Sequence, residues 1–350
     1  MNYFIPNDHT VKLDKKSIFV LTRPFYNNGF WVKKGNKFDE WELDINKTSL
    51  VEKVENADVL LIPYPINYYF ENGHIGLLEK YNGYCESNNI KGYGFITGDY
   101  GTVYPDFKNI TYFRMGGFKS RLSNKNQGFP ASLSDYHKRY YKSTDILIRS
   151  KKDKPKVGFC GHATNNPIIR IHQILNYLKV NIKRFIENPS RLDYEPYFQS
   201  AFERYQLLKN FEIAKDIDTE FIYRRKYRAG ASDFHNQNIS TIEFYDNIRN
   251  SDYIFCLRGT GNFSIRLYET LMMGRIPIFI DTDCVLPFMD YINWKNHVVW
   301  IDWKKKAQAI DILIDFHSKI SDSNFQKMQL NNRKLWEEIL QPKWIFSRLK

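Results

Sequence analysis

Arg266 and Glu269 stand three residues apart, so any helix that carries both presents them on one face. Arg258, Gly259, Gly261 and Ser264 come just ahead of them. Glycines let a backbone approach a ligand closely, and a serine before a helix caps it or binds a phosphate oxygen. A cation beside a diphosphate, with a carboxylate one turn deeper for ribose hydroxyls, is the chemistry of a nucleotide-sugar site. There the arginine offsets charge on the departing phosphate. The elements that must position these groups are legible around them. Tyr253–Leu257 reads as a buried strand, Ser264–Met273 as a helix closed by Gly274, and Ile276–Ile280 as a second apolar strand. Strand, glycine turn, helix and strand form a βαβ unit, whose helix start offers N–H groups and a positive dipole end to an anion. The turn is not a full G-x-G-x-x-G, because Ser264 occupies the third glycine position. A plain βαβ unit with a tight turn and a surface ion pair has the same spacing, and the local pattern does not choose between them.

The stretch resembles the C-terminal signature of the exostosin-like glycosyltransferases. The matching residues are Phe255-Cys256-Leu257, Gly259–Gly261, Ser264-Ile265-Arg266, Glu269, Gly274, Ile276-Pro277-Ile278, Leu286-Pro287-Phe288 and Ile292-Asn293-Trp294. Many members have cysteine where Arg275 stands and proline where Arg258 stands. The resemblance implies a GT-B fold, in which two Rossmann-like α/β domains face a cleft and a C-terminal helix crosses back to the first domain. It also implies an inverting transferase that takes a sugar from a nucleotide diphosphate, a UDP-sugar first among them, to a glycan or lipid-linked glycan. Arg258, Gly259, Gly261 and Ser264 would cradle the diphosphate, Arg266 would serve the leaving group and Glu269 the ribose.

Two further loops join the reading through the same resemblance. Val157–Arg170, VGFCGHATNNPIIR, is similar to the family's F-x-G strand–loop with a distal arginine, which makes Gly161 and Arg170 donor residues. Phe95–Tyr100, FITGDY, resembles a G-x-D-H motif with Tyr100 in place of histidine. An inverting transferase needs one base for the acceptor proton, and Asp99 at a strand end suits that role. An Asx-turn residue beside Gly98 and Gly101 fits Asp99 equally well, and His74, Asp135 and His137 are the alternatives. No metal is expected. Cys160-x-His162 lacks partner ligands, and Asp281-Thr282-Asp283 reads as turn chemistry after a strand. Arg228 adds charge to the donor cleft or lies in a surface loop. A catalytically inactive carbohydrate-binding or scaffold protein that keeps the fold is the alternative function.

The composition bounds these readings. The chain has 350 residues and 43% hydrophobic residues, enough for two medium domains. Its net charge of +12 is scattered, without a zinc-finger, RNP or helix-turn-helix pattern, which argues against a nucleic-acid partner. The charge suits attraction to a nucleotide diphosphate and peripheral contact with an anionic membrane. Cys85, Cys160, Cys256 and Cys284 form no C-x-x-C and read as reduced thiols. No run reaches the ~18 apolar residues of a membrane span, and no signal-length apolar run begins the chain. The expectation is a cytoplasmic enzyme, at most peripheral at the inner face of a membrane.

Along the chain, strands are expected at Ser17–Leu21, Asp58–Ile62, Tyr93–Thr97, Thr111–Phe113 and Val157–Cys160. Leu50–Asn56 reads as a short helix, Pro63–Asn89 as an aromatic, loop-rich wall, and Met115–Pro130 as loop. Ile168–Ile182 is a strongly apolar helix with Pro167 near its start. The polar KKDKP at Lys151–Pro155 marks a linker. The expected domains are 1–152 on the acceptor side, 153–330 on the nucleotide side, and a terminal helical segment, 331–350, that packs back on the first.

Overall fold

Apolar runs of strand length alternate with helical periods through both halves of the chain, and they fold into two parallel sheets. The structure is a computed structural model that describes residues 1–9, 20–35, 37–224 and 234–349, with only the backbone of 234–237. Arg228 and most of the Ser17–Leu21 run lie outside the described residues. In the first half the strands are β1 (Asn2–Phe4), a hairpin of β2 (Tyr26–Asn27) and β3 (Phe30–Trp31), β4 (Ser49–Val51), β5 (Val59–Leu61), β6 (Lys91–Ile96), β7 (Ile110–Arg114) and β8 (Asn126–Gly128). Apart from the hairpin they form one parallel sheet in the order β4-β1-β5-β6-β7-β8. The second half contributes β9 (Lys156–His162), β10 (Asp218–Arg224), β11 (Tyr253–Cys256), β12 (Ile276–Asp281) and β13 (Val299–Asp302). These form a second parallel sheet in the order β10-β9-β11-β12-β13.

Helices cover the sheets: α1 (Ile66–Glu71), α2 (Ile75–Ser87), α3 (Tyr136–Tyr141), α4 (Pro167–Glu187), α5 (Ser200–Ile213), α6 (Phe234–Arg249), α7 (Ile265–Met272), α8 (Ala309–Lys319), α9 (Asp322–Glu338) and α10 (Pro342–Phe346). Each sheet buries an apolar layer on both faces, as parallel sheets must. The chain end returns to the first half, where Ile345, Phe346 and Leu349 share a core with Tyr3, Phe25 and Trp41. This is the GT-B arrangement.

Several local expectations change. Leu50–Asn56 splits into the end of β4 and a single 3-10 turn at Val54–Asn56. The aromatic stretch 63–89 is not loop-rich, because Leu78, Tyr81 and Cys85 recur at helical spacing and seat α2 on the sheet. The loop after β7 contains β8. Residues from Ala131 onward leave the first sheet before the KKDKP linker. Tyr136 stacks on Tyr245 at 4.9 Å, and Arg149 pairs with Asp252 at 2.6 Å. At the other end, Trp336 and Leu340 stay in the second half's core, so the crossing begins only after Leu340.

One seam of main-chain contacts joins the halves. Phe118 bridges Cys284, Gly128 bridges Pro287, and the Lys119 N–H donates to the Asp283 carbonyl at 3.0 Å. Asn262, fully buried, donates its amide to the carbonyls of Gly117, Thr282 and Asp283 at 2.9–3.0 Å.

Candidate functional site

In an open parallel sheet, ligands sit beyond the carboxyl ends of the strands, where the strand order reverses. In the second sheet that point lies between β9 and β11, so it falls between Gly161 and Arg258. Three arginines meet there. Arg266, from the first turn of α7, donates to the Cys160 carbonyl at 2.9 Å and lies 4.4 Å from the centre of the Phe159 ring. A Cβ on Gly161 would stand 2.5 Å from its guanidinium, so glycine is required for Arg266 to reach this place. Arg258 is buried between Phe118 and Phe198, 5.2 and 4.8 Å from their ring centres, and donates to the Thr260 carbonyl at 2.7 Å. Arg204, from α5, spans the crevice, bonding the His162 carbonyl on one side and the Leu257 and Arg258 carbonyls on the other. No sequence motif marks Arg204; only the fold brings α5 to the switch point.

Among the described residues, none of these three arginines pairs with a carboxylate. The Nε of each, and Nε2 of His162, is buried without a hydrogen-bond partner. Burial, and then the charges of Arg266 and Arg258, push the Arg204 guanidinium down to about 9, still cationic at neutral pH. Burial likewise lowers Arg258, and burial with the Arg204 charge lowers His162. Buried positive charge with unspent donors is the electrostatic form of an anion site.

The remaining residues proposed for the donor fall into place unevenly. Gly261 lies where the first half presses in: a Cβ there would meet the Asp99 carbonyl oxygen at 2.6 Å. Gly259 has room for a side chain, with only Arg204 at 3.6 Å. Ser264 is buried at the helix N-cap, yet its hydroxyl makes no capping bond. Glu269 is half-buried and accepts from the Tyr245 hydroxyl at 3.4 Å. Arg170 is turned to other work, stacking 3.9 Å over Phe202 and bonding Gln199 at 3.3 Å.

Across the cleft, Asp99 follows β6 with its carboxylate exposed and its main chain against Gly261 and Gly116. His74 sits at the first sheet's own switch point, after β1 and β5, 4.6 Å from His9 and 5.5 Å from Tyr68 between ring centres. His9 carries no motif, and it joins this cluster through β1. Asp135 and His137 lie elsewhere. Asp135 caps α3 and pairs with Arg333, while buried His137 bonds the Ser143 carbonyl. Asp281 and Asp283 are also spoken for. Asp281 accepts from the Cys284 N–H at 2.9 Å, and Asp283 accepts from Ser120 N–H and hydroxyl across the seam. Among the described residues no group of three or more His, Cys, Asp or Glu has metal-site geometry. The four cysteines are free and buried.

Next to the seam a latch also links the halves, beginning with Arg121, which donates to the Tyr194 carbonyl at 2.6 Å. Glu195 accepts from the Gly101 N–H at 2.5 Å and Asp193 from the Val103 N–H at 2.8 Å, while buried Arg184 bonds the Thr102 hydroxyl and Glu195. Tyr100, Gln173, Asn176, Arg258 and Thr260 enclose a cavity of about 60 Å³ beside it. Ligand sites usually need ~300 Å³ or more, so this cavity alone does not hold a ligand of that size. A larger cavity of about 460 Å³, lined by Lys91, Asn109 and Trp344 among others, lies at the amino ends of β6 and β7, opposite the arginines.

Part of the chain is similar in sequence to known proteins. Residues 191–316 match the Exostosin GT47 domain. Exostosin-1 of Drosophila melanogaster is 26% identical over 113 residues, which is 32% of this chain and 14% of that protein. A probable beta-1,4-xylosyltransferase of Arabidopsis thaliana, IRX10, is 30% identical over 116 residues, 31% of this chain and 28% of its own length. The matched region thus spans less than a third of these relatives. Among solved structures, that of TarM aligns with 83% of this chain and 54% of its own at 9% identity and a TM-score of 0.33.

Proposed function

We propose that this exostosin-like chain is an inverting glycosyltransferase that moves a sugar from a nucleoside diphosphate to a glycan or lipid-linked glycan hydroxyl. The observation that carries the reading is the meeting of Arg204, Arg258 and Arg266 at the switch point, with buried Nε donors unspent and, among the described residues, no ion pair to a carboxylate. In the reaction, the acceptor oxygen attacks the anomeric carbon from the face opposite the leaving group. The bond from that carbon to the phosphate oxygen breaks, and the acceptor's proton passes to a base. Negative charge grows on the β-phosphate as the bond breaks, where fixed cations lower the barrier most. Arg266 and Arg204 supply that charge in this proposal, Glu269 receives the ribose, and Asp99 is the base. With three arginines in place the reaction needs no divalent ion, so turnover persists in excess EDTA.

A thermal-shift screen of UDP-, GDP-, ADP- and CMP-sugars tests the donor assignment, because a ligand bound only by the folded chain raises its melting temperature. We expect a nucleoside diphosphate sugar, UDP-sugars first, to raise it, and Arg204→Ala to abolish the shift. No shift from any of the four classes would remove the donor site. Donor hydrolysis without acceptor then separates an enzyme from a carbohydrate-binding protein that keeps the fold.

A further inference from the structure

Helix α4 has an inner and an outer face with opposite characters. Its inner face supplies Gln173, Asn176, Tyr177 and Val180 to the cavity beside Arg258, and Arg184 to the latch. Its outer face carries Ile168, Ile171, Leu175, Leu178, Ile182 and Phe185, spaced alternately three and four apart, which makes one continuous stripe down the helix. Each of these side chains is 43–76% exposed, although a stripe of this length ordinarily faces a core. Beyond the helix end Leu192 is 92% exposed. Along one edge of the stripe runs a row of exposed basic groups, His172, Lys179 and Lys183. The only acid on the helix is Glu187 at its end, already engaged by Lys183 and Arg191.

We propose that this face docks on an anionic lipid bilayer. The helix lies in the headgroup plane, with the stripe among the acyl chains and the lysine row against lipid phosphates. Charge complementarity selects this occupant. The alternating three-four spacing would also suit pairing with a second copy. That pairing, however, would bring together two chains of net charge +12, with no acidic edge on the helix to meet the basic one. Among the described residues no helix is long and apolar enough to cross a membrane, so the contact is peripheral. The proposal stands whatever reaction occurs in the cleft.

Co-sedimentation of the full chain with vesicles tests it, using phosphatidylcholine alone against an equal mixture of phosphatidylcholine and phosphatidylglycerol. We expect binding to the anionic vesicles only, weakened by high salt. Leu175→Ser with Ile182→Ser should lower partitioning by about tenfold or more. Lys179→Glu with Lys183→Glu should lower it roughly tenfold. All four positions are exposed, so melting curves should match the parent's. Binding by these variants equal to the parent's, or no binding to anionic vesicles, would overturn the proposal. A dimer seen by light scattering and broken by the Leu175→Ser, Ile182→Ser pair would instead assign the face to a second copy.

Discussion

Arg275 and the three arginines at the switch point belong to the same half of the molecule and behave oppositely. Arg275, fully buried after α7, spends its guanidinium completely. It donates to the carbonyls of Arg249, Gly274 and Leu147 and to the Gln329 side chain, at 2.7–3.2 Å. It thereby ties α9 and the linker to the second sheet. Arg258 is buried and Arg204 and Arg266 are half-buried, yet the Nε of each is buried without a partner. Burial alone therefore does not separate a structural cation from a functional one; unspent donors do so only together with position at the switch point, since Nε of Arg224, Arg249 and Arg333 is also unpartnered. Arg275, where the sequence departs from the exostosin-like pattern it resembles, is thus engaged in packing.

The comparison breaks most visibly at Arg275. Arg275→Ala should cost about 3 kcal/mol or more of stability, because it leaves buried carbonyls without a donor and opens a cavity. Denaturant unfolding measures this, while the folded fraction should still show the donor-induced thermal shift. Loss of that shift would put Arg275 in the site after all. Asp99→Asn sharpens the opposite side. It should lower transfer by roughly two to four orders of magnitude while donor binding and melting stay near the parent's. Near-normal transfer would move the base to His74 or His9.

Arg266→Ala should lower kcat by roughly 10²–10³ with a stability change within about 1 kcal/mol, since it gives up one hydrogen bond to Cys160. Glu269→Ala should instead raise the donor KM. Equal, small effects from the two would dissolve the contrast between spent and unspent cations. The smallest effect concerns the latch. Burial acts to raise the Asp193 carboxyl, but bonds from Arg191 and the Val103 N–H prevail and hold it below its ordinary value near 3.8. Its contribution to closure is therefore complete above about pH 4 and fades as the pH falls through the lowered value. Small-angle scattering should show the halves separating in acid, and Asp193→Asn should show some separation at neutral pH.

The sequence made the second half legible because its chemistry is local. Arg258 to Glu269 is one strand end, one turn and one helix, and Gly161 earned its place through a motif whose physical reason, room for Arg266, appeared only in three dimensions. What stayed hidden depends on convergence. Arg204, Asn262 and Glu195 sit in unremarkable local sequence and matter only because other elements fold against them. Arg170 shows the reverse, a motif position whose side chain the fold commits to Phe202 and Gln199. In the first half, tyrosines at helical spacing were mistaken for irregular wall, since Tyr serves strands, helices and loops alike. The apolar period of α4 correctly announced a helix, but a period names a face without saying what covers it.

The tie made by Asn262 has a mechanical meaning. One buried amide holds the two halves together beside Gly261, against which the Asp99 backbone rests, and the main-chain seam from Phe118 to Pro287 continues the same line. A body fastened along one edge opens like a book. Displacement grows with distance from the spine, so Asp99 and the Arg258–Ser264 turn, which lie beside it, barely shift. A bulky substrate can thus be admitted at an edge far from this spine without disturbing the alignment of Asp99 and that turn.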